Sequence, residues 1–425
     1  MKSMMPSMPG AVSMLPKTKH DITLLFTTRI LRLFAYGFLS VVLALYLAEA
    51  GLSEAQIGLL LTVTLAGDAA ITLWLTTNAD RLGRRRMLVA GAMLMILAGI
   101  VFVLTRNTLM LTLAAIIGVI SPSGNEIGPF LSIEQASLSQ LIADKKRTQA
   151  FAWYNLVGSF ATATGALSGG WLAQGLQSNG WTALASYQMV LAGYALAGLV
   201  LAFCFIGLSP AVEVEQKADK EKHLLGLHKS RRVVIKLSTL FALDAFAGGL
   251  IVQSMFALWF KLRFGLDSGV IGSIFFGANI LAGISALLAV RIAQRFGLIN
   301  TMVFTHIPSS VLLILMPLMP TLALAIIMLL LRFSISQMDV PTRQSYTLAV
   351  VAPDERSAAA GVTSIARSVG AALSPSLAGI FLSVPSLLSL PFFLCGGLKI
   401  IYDLLLWHEF SILKPPEEEQ RMLSG

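Results

Sequence analysis

Nine charged side chains stand inside apolar stretches of this 425-residue sequence and are the residues that could do chemistry: Arg29, Arg32, Asp68, Asp244, Arg332, Asp339, Arg367, Lys399 and Asp403. An ionisable group at membrane depth costs at least about 2.5 kcal/mol unless it is paired or hydrated. Such groups therefore meet each other, a proton or a solute. An arginine keeps its charge, whereas an aspartate can take up or lose a proton according to its surroundings. A carboxylate for which a proton, a solute and an arginine compete is a workable coupling device. Glu126 stands before Pro129 and Asp339 before Pro341. Proline frees backbone carbonyls that must be satisfied within protein or in a wet cavity, so acids beside such breaks are candidate solute or coupling residues, and Arg332 joins them. Lys399 and Asp403 are four apart and are expected to pair along one helix face. His306 reads as a helix-packing donor, and Glu134 as a hydrated acid at a helix end. The sequence has no Ser-His-Asp context, no Walker loop and no His or Cys cluster with metal-ligand spacing, so no enzyme, cofactor or metal is expected.

The elements that hold these residues follow from composition. A chain that is 56% hydrophobic and 12% charged is read as a polytopic membrane protein. Cys204 and Cys395 both lie in apolar runs and read as packing residues. A helix needs roughly 20 apolar residues to span the hydrocarbon core. That ruler finds segments at about 22–47, 55–78, 87–105, 108–130, 148–175, 186–208, 233–260, 268–293, 299–318, 321–346, 357–382 and 386–409. The expected division is a leader at 1–20, a six-helix half at 21–209, a linker at 210–232, a second six-helix half at 233–410 and a tail at 411–425. The net charge of +9 gathers in particular loops, which is a topology signal rather than a nucleic-acid surface. Basic loops remain on the cytoplasmic side. The arginines at 81 and 84–86, Lys145, Lys146, Arg147, Arg295 and Arg356 therefore place both termini in the cytoplasm.

A charged turn, Asp80-Arg81-Leu82-Gly83-Arg84-Arg85, separates the second and third segments. It returns in reduced form as Arg295-Phe296-Gly297, 214 positions later. Arg32 in the first segment aligns with Asp244 in the seventh, and Asn155 to Gly158 aligns with Arg367 to Gly370, each at an offset of 212. The chain is thus an internal repeat. The turn resembles the loop between helices two and three of the major facilitator superfamily, whose pattern G-x-x-x-D-R-x-G-R-R is met from Asp80 to Arg85, with Thr76 where the first glycine is expected. Gly165-Ala166-Leu167-Ser168-Gly169-Gly170 resembles the antiporter motif of the drug-proton exchanger branch, with Ala166 in place of its proline.

The resemblance implies an all-α membrane protein of twelve transmembrane helices in two pseudo-symmetric halves, working by alternating access. It implies a secondary transporter for a small organic solute, with proton-coupled efflux favoured by the glycines. Uptake of a polar or anionic solute, or a non-transporting sensor with the same fold, are the alternatives. The partners implied are the solute, protons and the lipid bilayer, in a monomer of the cell membrane. Asp80, Arg81, Gly83, Arg84 and Arg85 are implied to be a gate, with Asp80 at the first turn of helix eleven. Gly165, Gly169 and Gly170 would pack helices closely. Asp68 and Arg367 share a height on facing helices and are expected to pair. Arg32 and Asp244 are expected to face one another across the central cavity, with Asp244 carrying the proton.

Overall fold

The computed structural model describes residues 16–125, 130–142, 144–213, 228–352 and 355–413. Glu126, most of the expected leader and linker, and nearly all of the tail lie outside these residues. The described residues form helices only. In the first half of the chain these are α1 (Pro16–Ser40), α2 (Leu43–Glu49), α3 (Glu54–Leu82), α4 (Arg84–Leu104), α5 (Thr108–Ile117), α6 (Phe130–Leu141), α7 (Asp144–Ser178) and α8 (Ala183–Ile206). The second half holds α9 (Arg231–Gly249), α10 (Gln253–Phe264), α11 (Ser268–Phe296), α12 (Leu298–Leu315), α13 (Leu322–Ile335), α14 (Asp339–Ala349), α15 (Arg356–Leu373), α16 (Pro375–Leu382) and α17 (Leu390–Phe410).

Ten helical stretches among the described residues are long and apolar enough to cross a membrane, where the sequence suggests twelve. The two shortfalls have identifiable causes. The segment expected at 108–130 breaks after the ten residues of α5, and the next described helix begins at Phe130. Across that break Val119 takes a φ of 50° and Gly124 a φ of 68°, both left-handed. A β-branched residue there is strained and persists only where its surroundings fix it. Here the Tyr194 hydroxyl donates to the Val119 carbonyl at 2.9 Å, and the Ser254 amide donates to the Pro122 carbonyl at 2.9 Å. The segment expected at 148–175 is the 35-residue α7, long enough to cross but diluted by Asn155, Ser159, Thr162, Thr164 and Ser168.

The repeat of the charged turn has a backbone cause. Gly83 (φ 103°) ends α3 and starts α4, and Gly297 (φ 86°) does the same between α11 and α12. Side chains rarely adopt that region, so glycine recurs wherever two antiparallel spans meet this tightly.

Close approach of backbones organises the bundle. A Cβ on Gly165 would stand 2.1 Å from the Phe34 carbonyl oxygen, one on Gly169 2.1 Å from that of Phe38, and one on Gly170 2.3 Å from that of Ser268. The three glycines thus let α7 press against α1 on one side and α11 on the other. A Cβ on Gly58 of α3 would meet Gly379 Cα of α16 at 2.8 Å, joining the two halves of the chain a second time.

The hydrogen bonds described between the first and second halves gather at one end of the bundle, opposite the charged turn. Ser254 Oγ donates to the Ser40 carbonyl (2.8 Å) and Gln253 Nε2 to Ser40 Oγ (2.7 Å). Trp171 Nε1 donates to Ser273 Oγ (2.9 Å), and the Ser376 amide to Thr62 Oγ1 (2.9 Å). At the charged-turn end the described bonds remain within a half. Among the described residues the hydrogen bonds that link the two halves thus lie at one end.

Gly175, one or two turns beyond the packing glycines, has open space around it: a Cβ there would meet nothing within 4 Å. Gly165→Val is expected to cost about 1–3 kcal/mol through overpacking, lowering the thermal midpoint of the purified protein, while Gly175→Val leaves it in place. Equal midpoints for the two variants would contradict the packing role.

Candidate functional site

Each half of the chain buries one network of charges. In the first, Arg32 of α1 grips Glu134 of α6 with both arms of its guanidinium, at 2.7 and 2.6 Å, and both side chains are 0% exposed. Thr28 Oγ1 donates to the same carboxylate at 2.9 Å, and Tyr154 of α7 donates its hydroxyl to the other oxygen. Arg32 lies 4.7 Å over the Phe130 ring and Arg29 lies 4.8 Å over the Tyr154 ring. Arg29 also reaches Asn155 Oδ1 at 3.5 Å.

The second network centres on Asp244 of α9. Lys399 of α17 donates to its Oδ1 at 2.5 Å, and Arg367 of α15 and Arg343 of α14 reach Oδ2 at 3.0 and 3.4 Å. Arg343 also binds Asp339, one helical turn earlier, at 2.5 Å. His306 of α12 sets Nδ1 3.0 Å from both oxygens of Asp403 and Nε2 3.4 Å from Lys399 Nζ. Asp403, His306, Lys399, Asp244, Arg343 and Asp339 thus form one continuous buried chain of polar contacts. With Arg367 the network draws on five helices. Arg332 of α13 lies within electrostatic reach of Asp339 and Asp244, and its buried Nε has no hydrogen-bond partner among the described residues.

Several expected pairings are corrected. Arg32 and Asp244 do not pair with each other, because each is satisfied within its own half, Arg32 by an acid just beyond the fourth expected span and Asp244 by cations that include Arg343 of the tenth. Asp68 and Arg367 do not pair either. Helix α15 lays Gly370 on the Ala242 carbonyl of α9, where a Cβ would stand at 2.3 Å, and this turns Arg367 toward Asp244. Asp68 is buried in the first half, within electrostatic reach of Tyr36 and Tyr194. Lys399 and Asp403 pair with Asp244 and His306 rather than with each other. Glu134, expected to be hydrated at a helix end, is fully buried, because α6 continues beyond it to Leu141. Glu134 and Arg343 are the acid and the base that the sequence does not assign to either site. The i, i+4 spacing of Asp339 and Arg343 is a readable signal for the latter.

The charged turn is also rearranged from expectation. Asp80 accepts from Arg84 Nε at 2.8 Å within its own half, not from α15. Glu213, in the expected linker, takes the amides of Arg84 and Arg85 at 2.7 and 3.2 Å, the place where an anion best satisfies a helix start. Arg84 continues to Gln140 (3.0 Å) and to the Val212 carbonyl (3.2 Å), while Arg81 is exposed. The turn therefore ties α3, α4, α6 and the stretch at 210–213 into one unit. In the second half Glu355 does similar service. Its carboxylate accepts from the amides of His228, Lys229 (2.8 Å) and Ser230 (2.8 Å) just before α9. Burial works to raise its pKa, but these bonds prevail and lower it to about 2.

The described residues thus form a helical bundle with ten stretches long and apolar enough to cross a membrane, and it buries a multiply bonded charge network. The sequence profile of the Major Facilitator Superfamily matches residues 25–375 and 242–424, and the chain belongs to that family. It is 31% identical over 418 residues to the uncharacterized membrane protein YJR124C of Saccharomyces cerevisiae, covering 91% of this chain and 93% of the yeast one. The fold is similar to a bacterial homologue of the iron transporter ferroportin in an inward-facing state (TM-score 0.72, 14% identity, 91% and 98% covered). It is also similar to a D-xylose-proton symporter (0.70, 14%, 91% and 97%) and to the nucleoside transporter NupG (0.68, 15%, 92% and 98%). At these identities the structural likeness shows the fold alone.

Two measurements test the site's construction. Glu134→Gln removes the carboxylate that Arg32 grips and is expected to cost about 3–5 kcal/mol, whereas the double variant Arg32→Leu with Glu134→Leu recovers most of it; a harmless Glu134→Gln would contradict the pair. Because the folded pKa of Glu355 lies below the roughly 4.3 of an unfolded glutamate, its contribution is complete above that value and is lost as pH falls toward about 2. In Glu355→Gln that segment of the stability-pH curve should flatten. A curve unchanged in slope would contradict the capping role.

Proposed function

We propose that this chain is a proton-coupled secondary transporter for a small organic solute, built as twelve spans in two repeat-related halves with both termini cytoplasmic. The observation that carries the reading is the Asp244 network. Five helices contribute charges to one chain of contacts that includes a buried His-Asp pair, and such groups inside a membrane mark proton relays and solute pathways. In this reading Asp244 exchanges its cations for a proton, and the loosened α14, α15 and α17 permit the change of access. The closure at the end opposite the charged turn corresponds to an inward-facing state. Gly165, Gly169 and Gly170 pack α7 against α1 and α11, a role that fits export and uptake alike.

The test is reconstitution of the protein into vesicles with an internal pH dye and a panel of organic solutes under an imposed proton gradient. Solute-dependent proton movement is expected with the natural protein. In Asp244→Asn, gradient-driven accumulation should vanish while solute exchange continues, since exchange needs alternation of access without net proton transfer. Full gradient-driven accumulation by Asp244→Asn would remove Asp244 from the coupling role and direct it to Asp68 or Asp339.

A further inference from the structure

Charge balance around Asp244 is uneven. The described residues bring four cations, Arg332, Arg343, Arg367 and Lys399, against three carboxylates, Asp244, Asp339 and Asp403. One positive charge is left over, and a second whenever His306 is protonated. An excess cation at membrane depth is costly and calls for an anion. In the first half Arg32 and Glu134 form a pair whose side chains are both fully buried.

Of the three cations bonded to Asp244, one is accessible. The side chains of Arg343 and Lys399 are 8% and 10% exposed, but that of Arg367 is 33% exposed. Arg367 spends only Nη1 on Asp244. Its Nη2 and Nε hold no hydrogen bond among the described residues, so the remaining edge of the guanidinium is open. Planar guanidinium edges bind carboxylate and phosphate through paired N–H donors.

The helix that carries Arg367 is built with three distinct faces. Ala359, Thr363 and Gly370 are buried on one face, and the Gly370 edge of it rests on α9. Ile365, Val369 and Leu373 form an exposed apolar face, as a lipid-facing stripe requires. Between the two, Ala360 and Ser364 share the face of Arg367 at one and two turns toward the charged-turn end, and both are exposed. Small, exposed side chains thus leave an approach to Arg367 from the charged-turn end.

We infer that the transported solute is an organic anion whose carboxylate or phosphate group docks on the open edge of Arg367, reached along Ala360 and Ser364. The inference rests on the transporter reading and adds the substrate class to it. Asp244 and the solute then compete for the same arginine, so binding of the anion loosens Arg367 from Asp244 and frees the carboxylate for a proton.

The test is arginine modification of the purified full-length protein by phenylglyoxal, with labelling of the peptide containing Arg367 followed by mass spectrometry. Benzoate, phenyl phosphate and the uncharged benzamide serve as probes. Slower labelling of Arg367 by benzoate or by phenyl phosphate, and not by benzamide, is expected, and whichever anion protects identifies the carboxylate or the phosphate arm. In Asp244→Asn, with the competing carboxylate gone, the protecting anion should act at about tenfold lower concentration, one decade of affinity. Equal protection by benzamide, protection by none of the three, or no tightening in Asp244→Asn would each overturn the inference. Labelling reads an equilibrium site and needs no translocation. Its failure would therefore leave the proton-flux result standing, and a vesicle without proton movement would not alter the labelling result.

Discussion

Burying a charge is the constraint on which this architecture depends. Asp244 lies 4% exposed in the middle of an apolar bundle, and it is tolerable there only because cations arrive from α14, α15 and α17. Removing one member of such a set leaves an uncompensated charge, which is why buried ion pairs hold helices in a particular register even where they add little net stability. The backbone contacts at Gly370 and Gly249 set how deeply α15 and α9 approach, and that approach places Arg367 on Asp244. Packing and electrostatics are thus one device here: small residues bring the helices together, and the charges fix their rotation.

The same constraint explains where sequence and structure part. The repeat is legible, since Arg32 and Asp244, Asn155 and Arg367, and the two turn glycines recur at nearly one offset. The rule that buried charges need partners is legible too. The partner itself is not, because a one-dimensional offset relates positions between halves and says nothing of which neighbouring helix fills the gap. Glu134 and Arg343 are near-equivalents from the two broken helices, and each binds the repeat-related residue of its own half, Glu134 taking Arg32 and Arg343 taking Asp244. For these two residues the pairing rule therefore holds within a half and not between halves.

Segment ends follow the sequence where glycine or a capping residue marks them. Ser53 and Gln56 form a reciprocal cap at the start of α3, and Gly83 stops that helix with a backbone angle open to few other residues. Between α5 and α6 the local signals compete: Pro122, Gly118 and Gly124 disfavour helix in the middle of an apolar run whose composition favours a span. The break wins, and its carbonyls are satisfied by Tyr194 and Ser254 from other helices. A tally of apolar residues alone has no means of weighing those distant donors.

Repeat symmetry with reversed charge carries a functional asymmetry. Arg32 presents a base on α1 to an acid on α6, while Asp244 presents an acid on α9 to bases on three helices. In the first arrangement one carboxylate accepts two guanidinium bonds, a threonine and a tyrosine. The second leaves cations in excess of carboxylates and one arginine partly open. In the proposed cycle this difference lets the first half serve as a rigid body against which the second rearranges when the contents of its network change.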